Sequence, residues 1–394
     1  MVSRFGDGSV EAVKQIRESI LMFVKDCIEQ SIGQTTWPID GFIVNNLVAI
    51  VTLCIKIECP ETWSTAFTDL MMLASGEGNV NGLSFGVSVL DEMEVEVVEF
   101  SSERSQREIQ HNTVIKDFIR EGTIVQDLVM FLCSSAVSCR QAGLIALSQK
   151  ALRAFAQMIG WIDVALVVKC ALPTIYQCMN DQYISGAACS CVFELVKKGM
   201  DPEQKILMIS QIELIQNILS MKIEDNGCIT SSEEETNPAE ELGPVVNIIV
   251  VELLGVWTSC EDQFNKTTAT LAATTTNAND YILQAAAAFP DIGLTTAGML
   301  RALMPQLMSI FSHSDIDVSS TVIDSVNKLI ALLKTQNPRL NDLKKLKEMV
   351  PGVFIVEDFL SDLLMTIYQQ IQFPHDFTFD ADDEDDAMVI EVIF

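Results

Sequence analysis

Residues 186–202 restrict the fold of this chain more than any other stretch, because a helix end, a tight turn and the next helix start follow one another directly. Ala188, Cys191, Val192, Leu195 and Val196 recur at helical spacing and make one apolar stripe. Lys197 and Lys198 fall in the last turn, where cations complement the negative end of the helix dipole. Gly199 is expected to take the left-handed conformation that commonly closes a helix. Asp201 can cap the following helix, with Pro202 at its first position and Gln204 placed for a capping box. So short a link makes the two helices an antiparallel pair. If the unit recurs, the chain is a helical solenoid.

It recurs. Residues 11–30 carry Ile16, Ile20, Phe23, Val24 and Cys27 as a stripe, and 41–59 is apolar on nearly every side, as for a helix covered on several faces. Pro60 ends that helix. Helices are predicted over 63–75, 83–98 and 111–133, with a polar linker turn at 101–110. A Ser-rich turn precedes 139–161, where Leu152, Phe155, Ile159 and Ile162 alternate. The next elements are 165–179, 183–198 and 202–221, the last striped by Met208, Ile212, Ile215 and Leu219. Residues 223–242 read as an acidic loop with Glu233, Glu234 and Glu235, and 245–257 closes that pair. The Thr- and Ala-rich stretch 264–289 reads as an insertion. Helix 295–312 and a partner striped by Val322, Val326, Leu329 and Leu333 follow. After a basic stretch at 334–347 comes a final helix over 349–373, breakable at Pro351 and Gly352.

Second helices closing near Asp163 and Gly199 lie close to the period of about 40 residues of HEAT and armadillo pairs. No strand-period alternation stands out. The expected fold is all-α: a right-handed superhelical solenoid of antiparallel helix pairs over 1–375, then an acidic tail or loop at 376–394.

Composition excludes several classes of function. Apolar residues are 49% of the chain, enough for a large core. The most apolar helix still carries Asn45 and Asn46 and runs into Lys56 and Glu58, and residues 1–10 lack the apolar core of a secretory signal. The chain therefore reads as soluble and intracellular, without membrane insertion. Eleven cysteines lie mostly within apolar helical runs such as those of Cys54, Cys133, Cys170 and Cys191, which reads as buried reduced thiols. With no Cys-x-x-Cys pair and only His111, His313 and His375, neither metal nor cofactor is expected. Phosphate-binding, zinc-protease and nucleophile-elbow motifs are missing, so no enzyme activity is expected. A net charge of −29 repels nucleic acid in bulk and leaves local basic spots, or a basic protein partner, as the routes to binding.

Several separated segments resemble exportin-t, the tRNA-exporting branch of the HEAT-repeat nuclear transport receptors. His111-Asn112-Thr113-Val114-Ile115-Lys116-Asp117-Phe118-Ile119-Arg120-Glu121 is similar to a family helix start reading Arg-Asn-Thr-Leu-Ile-Lys-Asp-x-Met-Arg-Glu. Trp161-Ile162-Asp163 resembles a family helix end. The turn from Cys191-Val192-Phe193-Glu194 through Lys198-Gly199-Met200-Asp201-Pro202 resembles Cys-Leu-Phe-Glu-Val-Val-x-Lys-Gly-Met-Asp-Pro. The turn at 313–320 and the acidic segment reaching Ala387-Met388 have family counterparts in the same order.

The resemblance implies a shuttling receptor of nucleus and cytoplasm, monomeric by default, that wraps tRNA together with GTP-bound Ran and meets nucleoporins in transit. Family members are much longer. This chain is expected to begin after the first repeats and stop before the C-terminal half, which leaves open a HEAT scaffold that binds only proteins, or a truncated, inactive relative.

Candidate RNA contacts follow from charge and from the resemblance. Lys116 and Arg120 lie one turn apart and either touch phosphate or pair with Asp117 or Glu121. Lys197, Lys198 and Lys205 cluster at one turn and either meet phosphate or complement the helix dipole. Lys344 and Lys345, with Lys347 and Arg339, form the densest basic spot, readable also as a solvated helix start or a partner of the acidic tail. Asp376, Asp380, Asp382, Asp383, Glu384, Asp385 and Asp386 surround Phe377 and Phe379; the resemblance makes them a Ran-binding loop, and charge alone makes them a solubilising run.

Overall fold

The computed structural model describes residues 7–98, 104–221, 238–274, 290–350 and 352–370. Among these the secondary structure is helical throughout, with no strand, in two compact units, Met1–Lys198 and Gly199–Phe394.

The first unit holds α1 (Asp7–Gln30), α2 (Gly41–Glu58), α3 (Ala66–Ala74), α4 (Val80–Met93), α5 (Gln106–Arg120), α6 (Ile124–Gln141), α7 (Ile145–Ile159), α8 (Val164–Cys170), α9 (Leu172–Met179) and α10 (Ser185–Lys197). Two layers follow from the packing. In one, α2, α4, α7 and α10 stack in succession; in the other, α3, α6 and α9 do the same. Within pairs, α1 packs on α2, α3 on α4, α6 on α7 and α9 on α10. Short links between partners make each pair antiparallel, and stacked pairs of this kind are a HEAT-like array. The core is the seam between layers, where Ile55, Phe67, Phe85, Leu132, Leu152 and Phe155 are at most 2% exposed. Helix α5 is an extra element before the third pair, which stretches the repeat there and explains why the period was clearest from Asp163 onward.

The second unit is built on α13. It comprises α11 (Pro202–Gln211), α12 (Leu214–Ser220), α13 (Pro238–Thr274), α14 (Asp291–Phe311), α15 (Ile316–Ser320), α16 (Ile323–Gln336), α17 (Leu340–Met349) and α18 (Leu360–Gln370). The 37-residue α13 packs against α11, α14, α15 and α16, and buries Val246, Ile249, Leu253 and Trp257 completely or nearly so. At its N-terminal turns Gly243 approaches Thr321 so closely that an added Cβ would lie 1.9 Å from the Thr321 hydroxyl oxygen.

Several expected boundaries are corrected, each for a local reason. The helix expected over 111–133 stops at Arg120, because Gly122 takes a φ of 75° and turns the chain. The Ser-rich turn expected before 139 is the interior of α6: the Ser134 and Ser135 hydroxyls donate to the Phe131 carbonyl and so tolerate the helix. Residues 165–179 make two helices, since Pro173 cannot continue α8 and sits in the first turn of α9. Glu213, left-handed at φ 52°, divides 202–221 into α11 and α12. The stretch 245–257 belongs to α13, which also takes in 264–274 of the expected insertion; the remainder of that insertion and Glu233–Glu235 lie outside the described residues. The last expected helix begins only at Leu360.

Two described helices, Gly41–Glu58 and Ala239–Thr267, are long and apolar enough to cross a bilayer by composition alone. Both carry charged residues paired with other helices: Glu58 with Arg17, Lys56 with Glu96, Glu252 with Lys205 and Glu261 with Arg339. Charges matched between helices in this way mark both as helices of a packed array.

Candidate functional site

The turn that ends α7 is the best-defined polar constellation in the first unit. An α-helix leaves its last carbonyls without intrahelical partners. Here the C-cap Gly160 stays right-handed (φ −54°) and the chain goes almost straight into α8, capped by the Asp163 carboxylate on the Ala165 N–H at 2.8 Å, so no left-handed turn closes α7. Side-chain cations do so instead. The Lys198 ammonium donates to the carbonyls of Ile159 (2.9 Å), Gly160 (3.3 Å) and Ile162. The Arg120 guanidinium donates through Nε and Nη2 to the Trp161 carbonyl at 3.0 and 2.8 Å. It also lies over the Trp161 ring, 5.6 Å from the centroid, and reaches Asp117 at 2.9 Å. Four consecutive carbonyls are thus taken by two cations, one at the end of α5 and one just past α10. Burial lowers the Lys198 pKa from its usual value; Asp163 opposes that shift and Arg120 adds to it.

Gly199 is corrected by the same geometry: it is not among the left-handed glycines, because Lys198 turns out of the helix with φ −53° and ψ 133° and is anchored by its own side chain. Asp201 caps α11 as expected, accepting from the Glu203 and Gln204 N–H groups, with Pro202 at the first position.

The candidate cations therefore divide. Arg120 and Lys198 are spent on backbone carbonyls. Lys205 is corrected outright: it is 4% exposed and its ammonium pairs with Glu252 at 2.8 Å, which takes it out of phosphate reach. The sequence signal was there, since Lys205 falls beside Ile206 and Ile209 on the buried face of α11. Lys197 stays exposed, pairing loosely with Glu194 at 3.0 Å and lying 5.5 Å from the centre of the Phe193 ring. Lys116 is half-buried; its side chain borders a small apolar pocket with Phe67, Leu90, Met93, Val97 and Trp161, and it makes no ion pair with another described residue, Asp117 being taken by Arg120.

In the second unit the basic spot is matched by acids of its own unit. Lys344 pairs with Glu357 (2.7 Å), Lys347 with Asp358 (2.6 Å) and Arg339 with the buried Glu261 (3.0 Å); Lys344 and Lys345 are both exposed. Sequence reasoning missed these pairings because Glu357, Asp358 and Glu261 are remote in the chain or lie in another helix. The acids Asp376, Asp380, Asp382, Asp383, Glu384, Asp385 and Asp386 lie outside the described residues. A further acidic group, which the sequence reading did not single out, forms where Glu240 and Glu241 face Asp315 and Asp317; burial and then these neighbours raise the Glu240 pKa.

Described cysteines are all free thiols, nine of the ten being buried, and no described group of His, Cys, Asp or Glu is arranged to hold a metal.

Comparison with known proteins gives a consistent likeness. The family described as Exportin 1-like protein matches residues 40–192. The chain is 22% identical to Exportin-T of Danio rerio over 98% of this chain and 35% of that protein. It is 29% identical to Exportin-T of Dictyostelium discoideum over 55% of this chain and 18% of that protein. With Exportin-T of Homo sapiens the identity is 22% over 90% of this chain and 32% of that protein. The resemblance read from the helix turns thus extends over nearly the whole chain, which spans about a third of the length of these curated relatives.

Proposed function

We propose that this chain acts as part of a nuclear export receptor, binding tRNA cooperatively with GTP-bound Ran. The observation that carries the proposal is the likeness to proteins named Exportin-T along 98% of the chain. A helical array suits the mechanism, because each partner that orders it lowers the cost of ordering it for the other, and such coupling is reciprocal. Hydrolysis would occur on Ran, and this chain would carry no catalytic group of its own. Nucleoporin contact and shuttling between nucleus and cytoplasm belong to the same proposal.

For RNA contact the proposal rests on Lys116, Lys197, Lys344 and Lys345. Arg120 and Lys198 are assigned to holding the α7 end, and Lys205 is left out as a buried ion-pair member. For Ran contact it rests on the acidic run 376–386.

The test is filter binding of labelled tRNA with and without Ran held in its GTP form, at low and moderate salt. Retention that needs Ran-GTP and weakens as salt rises supports the reading. Absence of retention in both states, from a sample with helical circular dichroism, rejects it. A protein-only HEAT scaffold is then the better description, favoured by the net charge of −29 and by the internal pairing of the basic spots. Capture of Ran-GTP without RNA would be its signature.

A further inference from the structure

The small pocket beside Lys116 has a lining that is apolar except at three points, and one of these has no partner. Phe67 of α3, Leu90 of α4, Leu128 of α6 and Met158 of α7 supply apolar walls and are at most 8% exposed. Every wall lies in the interior of the array, with α1 and α2 before it and α8 to α10 after it. Lys116, Glu94, Val98 and Trp161 line it too; they are half-buried and so mark its opening. The cavity measures about 20 Å³, room for one small group inside the opening. Its partnerless polar atom is Trp161 Nε1, a buried N–H with no acceptor among the described residues. A buried donor left unpaired is costly enough to need a reason. The ring itself is fixed, since Arg120 lies over it and donates to the carbonyl of the same residue.

The backbone at the opening is also unusual. Helix α4 runs into a π-turn, Glu94–Val98, and such turns recur at functional sites. Two side chains hold it: Asn112 Nδ2 donates to the Glu96 carbonyl at 3.2 Å and Arg104 donates to the Val95 carbonyl.

We infer that this pocket binds a small neutral molecule with an apolar body and one carbonyl oxygen at its narrow end, the oxygen accepting from Trp161 Nε1. The apolar walls determine the body, and the single inward donor determines the acceptor. The opening carries one cation and one anion, Lys116 and Glu94, so it favours an ion of neither sign. Water fits the site badly, because a buried water needs about two to four polar partners and apolar cavities stay dry. The fixed indole means that little has to be ordered on binding.

The test titrates the whole chain with four probes of one shape by ligand-detected NMR: acetophenone, its isosteric hydrocarbon α-methylstyrene, the anion benzoate and the cation benzylamine. Acetophenone is expected to bind best. Trp161→Phe keeps an aromatic ring under Arg120 and removes the N–H. It is expected to lower the ratio of ketone to hydrocarbon affinity by about three- to tenfold, the worth of one hydrogen bond. Val98→Trp, at a half-buried position, plugs the opening and is expected to abolish binding of both, with circular dichroism verifying that each variant folds. An unchanged ratio in Trp161→Phe overturns the inference in favour of apolar filling alone. Stronger binding of benzoate or benzylamine overturns the neutral ligand. Binding that survives Val98→Trp places the probe elsewhere and overturns the site, as does a folded parent that binds none of the four.

Discussion

Lys198 and Arg120 are cations whose work is internal, and their removal should register in stability before it registers in binding. Hydrogen bonds to a charged donor contribute about 1.5–3 kcal/mol where buried. Lys198 is only partly buried, so Lys198→Met is expected to cost about 1–2 kcal/mol in urea unfolding, at the low end of that range. Lys197→Ala, one residue earlier and exposed, is expected to change stability by less than about 0.5 kcal/mol. If it contacts phosphate, it should instead lower the slope of log K against log salt by nearly one. Glu252→Gln strands the buried Lys205 ammonium; breaking such a pair costs about 3–5 kcal/mol when both partners are buried, and the partial exposure of Glu252 should bring the loss to about 2. Here sequence reasoning had a definite limit. Charge type and helix register were legible, but whether a lysine meets solvent, a carbonyl or a carboxylate depends on residues about forty positions away, such as Ile159 for Lys198 and Glu252 for Lys205.

At the scale of the helix, the legible features were the apolar stripes, the Asp201–Pro202 start of α11 and the Trp161–Asp163 end of α7. The illegible ones were the breaks. Gly122 and Pro173 could have been read as interruptions, since each breaks a helix by a known route. Glu213 could not, because nothing local marks a non-glycine residue at positive φ. The long helix α13 went unrecognised because its N-terminal part, through Gly243 and Pro244, has the composition of a loop. Gly243 is there for close approach, and the prediction is specific. Gly243→Ala gains helix propensity but drives a Cβ into Thr321, so a net destabilisation of about 1–3 kcal/mol is expected in thermal or denaturant unfolding. Gly243→Ala combined with Thr321→Ala, which removes the Thr321 hydroxyl and methyl, should recover part of that loss.

Across the whole molecule the thiols give a pH signature. Burial pushes Cys59 and Cys133 up to about 12, and Cys139 and Cys178 up to about 11, from an ordinary value of 9.0. A raised folded-state pKa contributes stability that is intact below pH 9 and lost as pH rises toward the folded values, because the unfolded chain releases its protons first. Each such thiol steepens the loss by up to about 1.4 kcal/mol per pH unit in that window. Denaturant midpoints taken between pH 8 and 10.5 should fall with a slope of several protons, and substitution of Cys133 and Cys178 by Ala or Val should flatten it. At pH 8 a thiol reagent should find the described buried cysteines unreactive until the chain unfolds.

The clamp on the α7 end also bears on how the first unit comes apart. Stacked repeats behave as a one-dimensional chain in which each unit's intrinsic stability is small and the coupling to its neighbour decides how far an opening propagates. Arg120 enters from before the third pair and Lys198 from the end of the fourth, and both fasten to the last turn of α7. That staple raises the coupling between those two pairs specifically. In native-state hydrogen exchange they should open as one block.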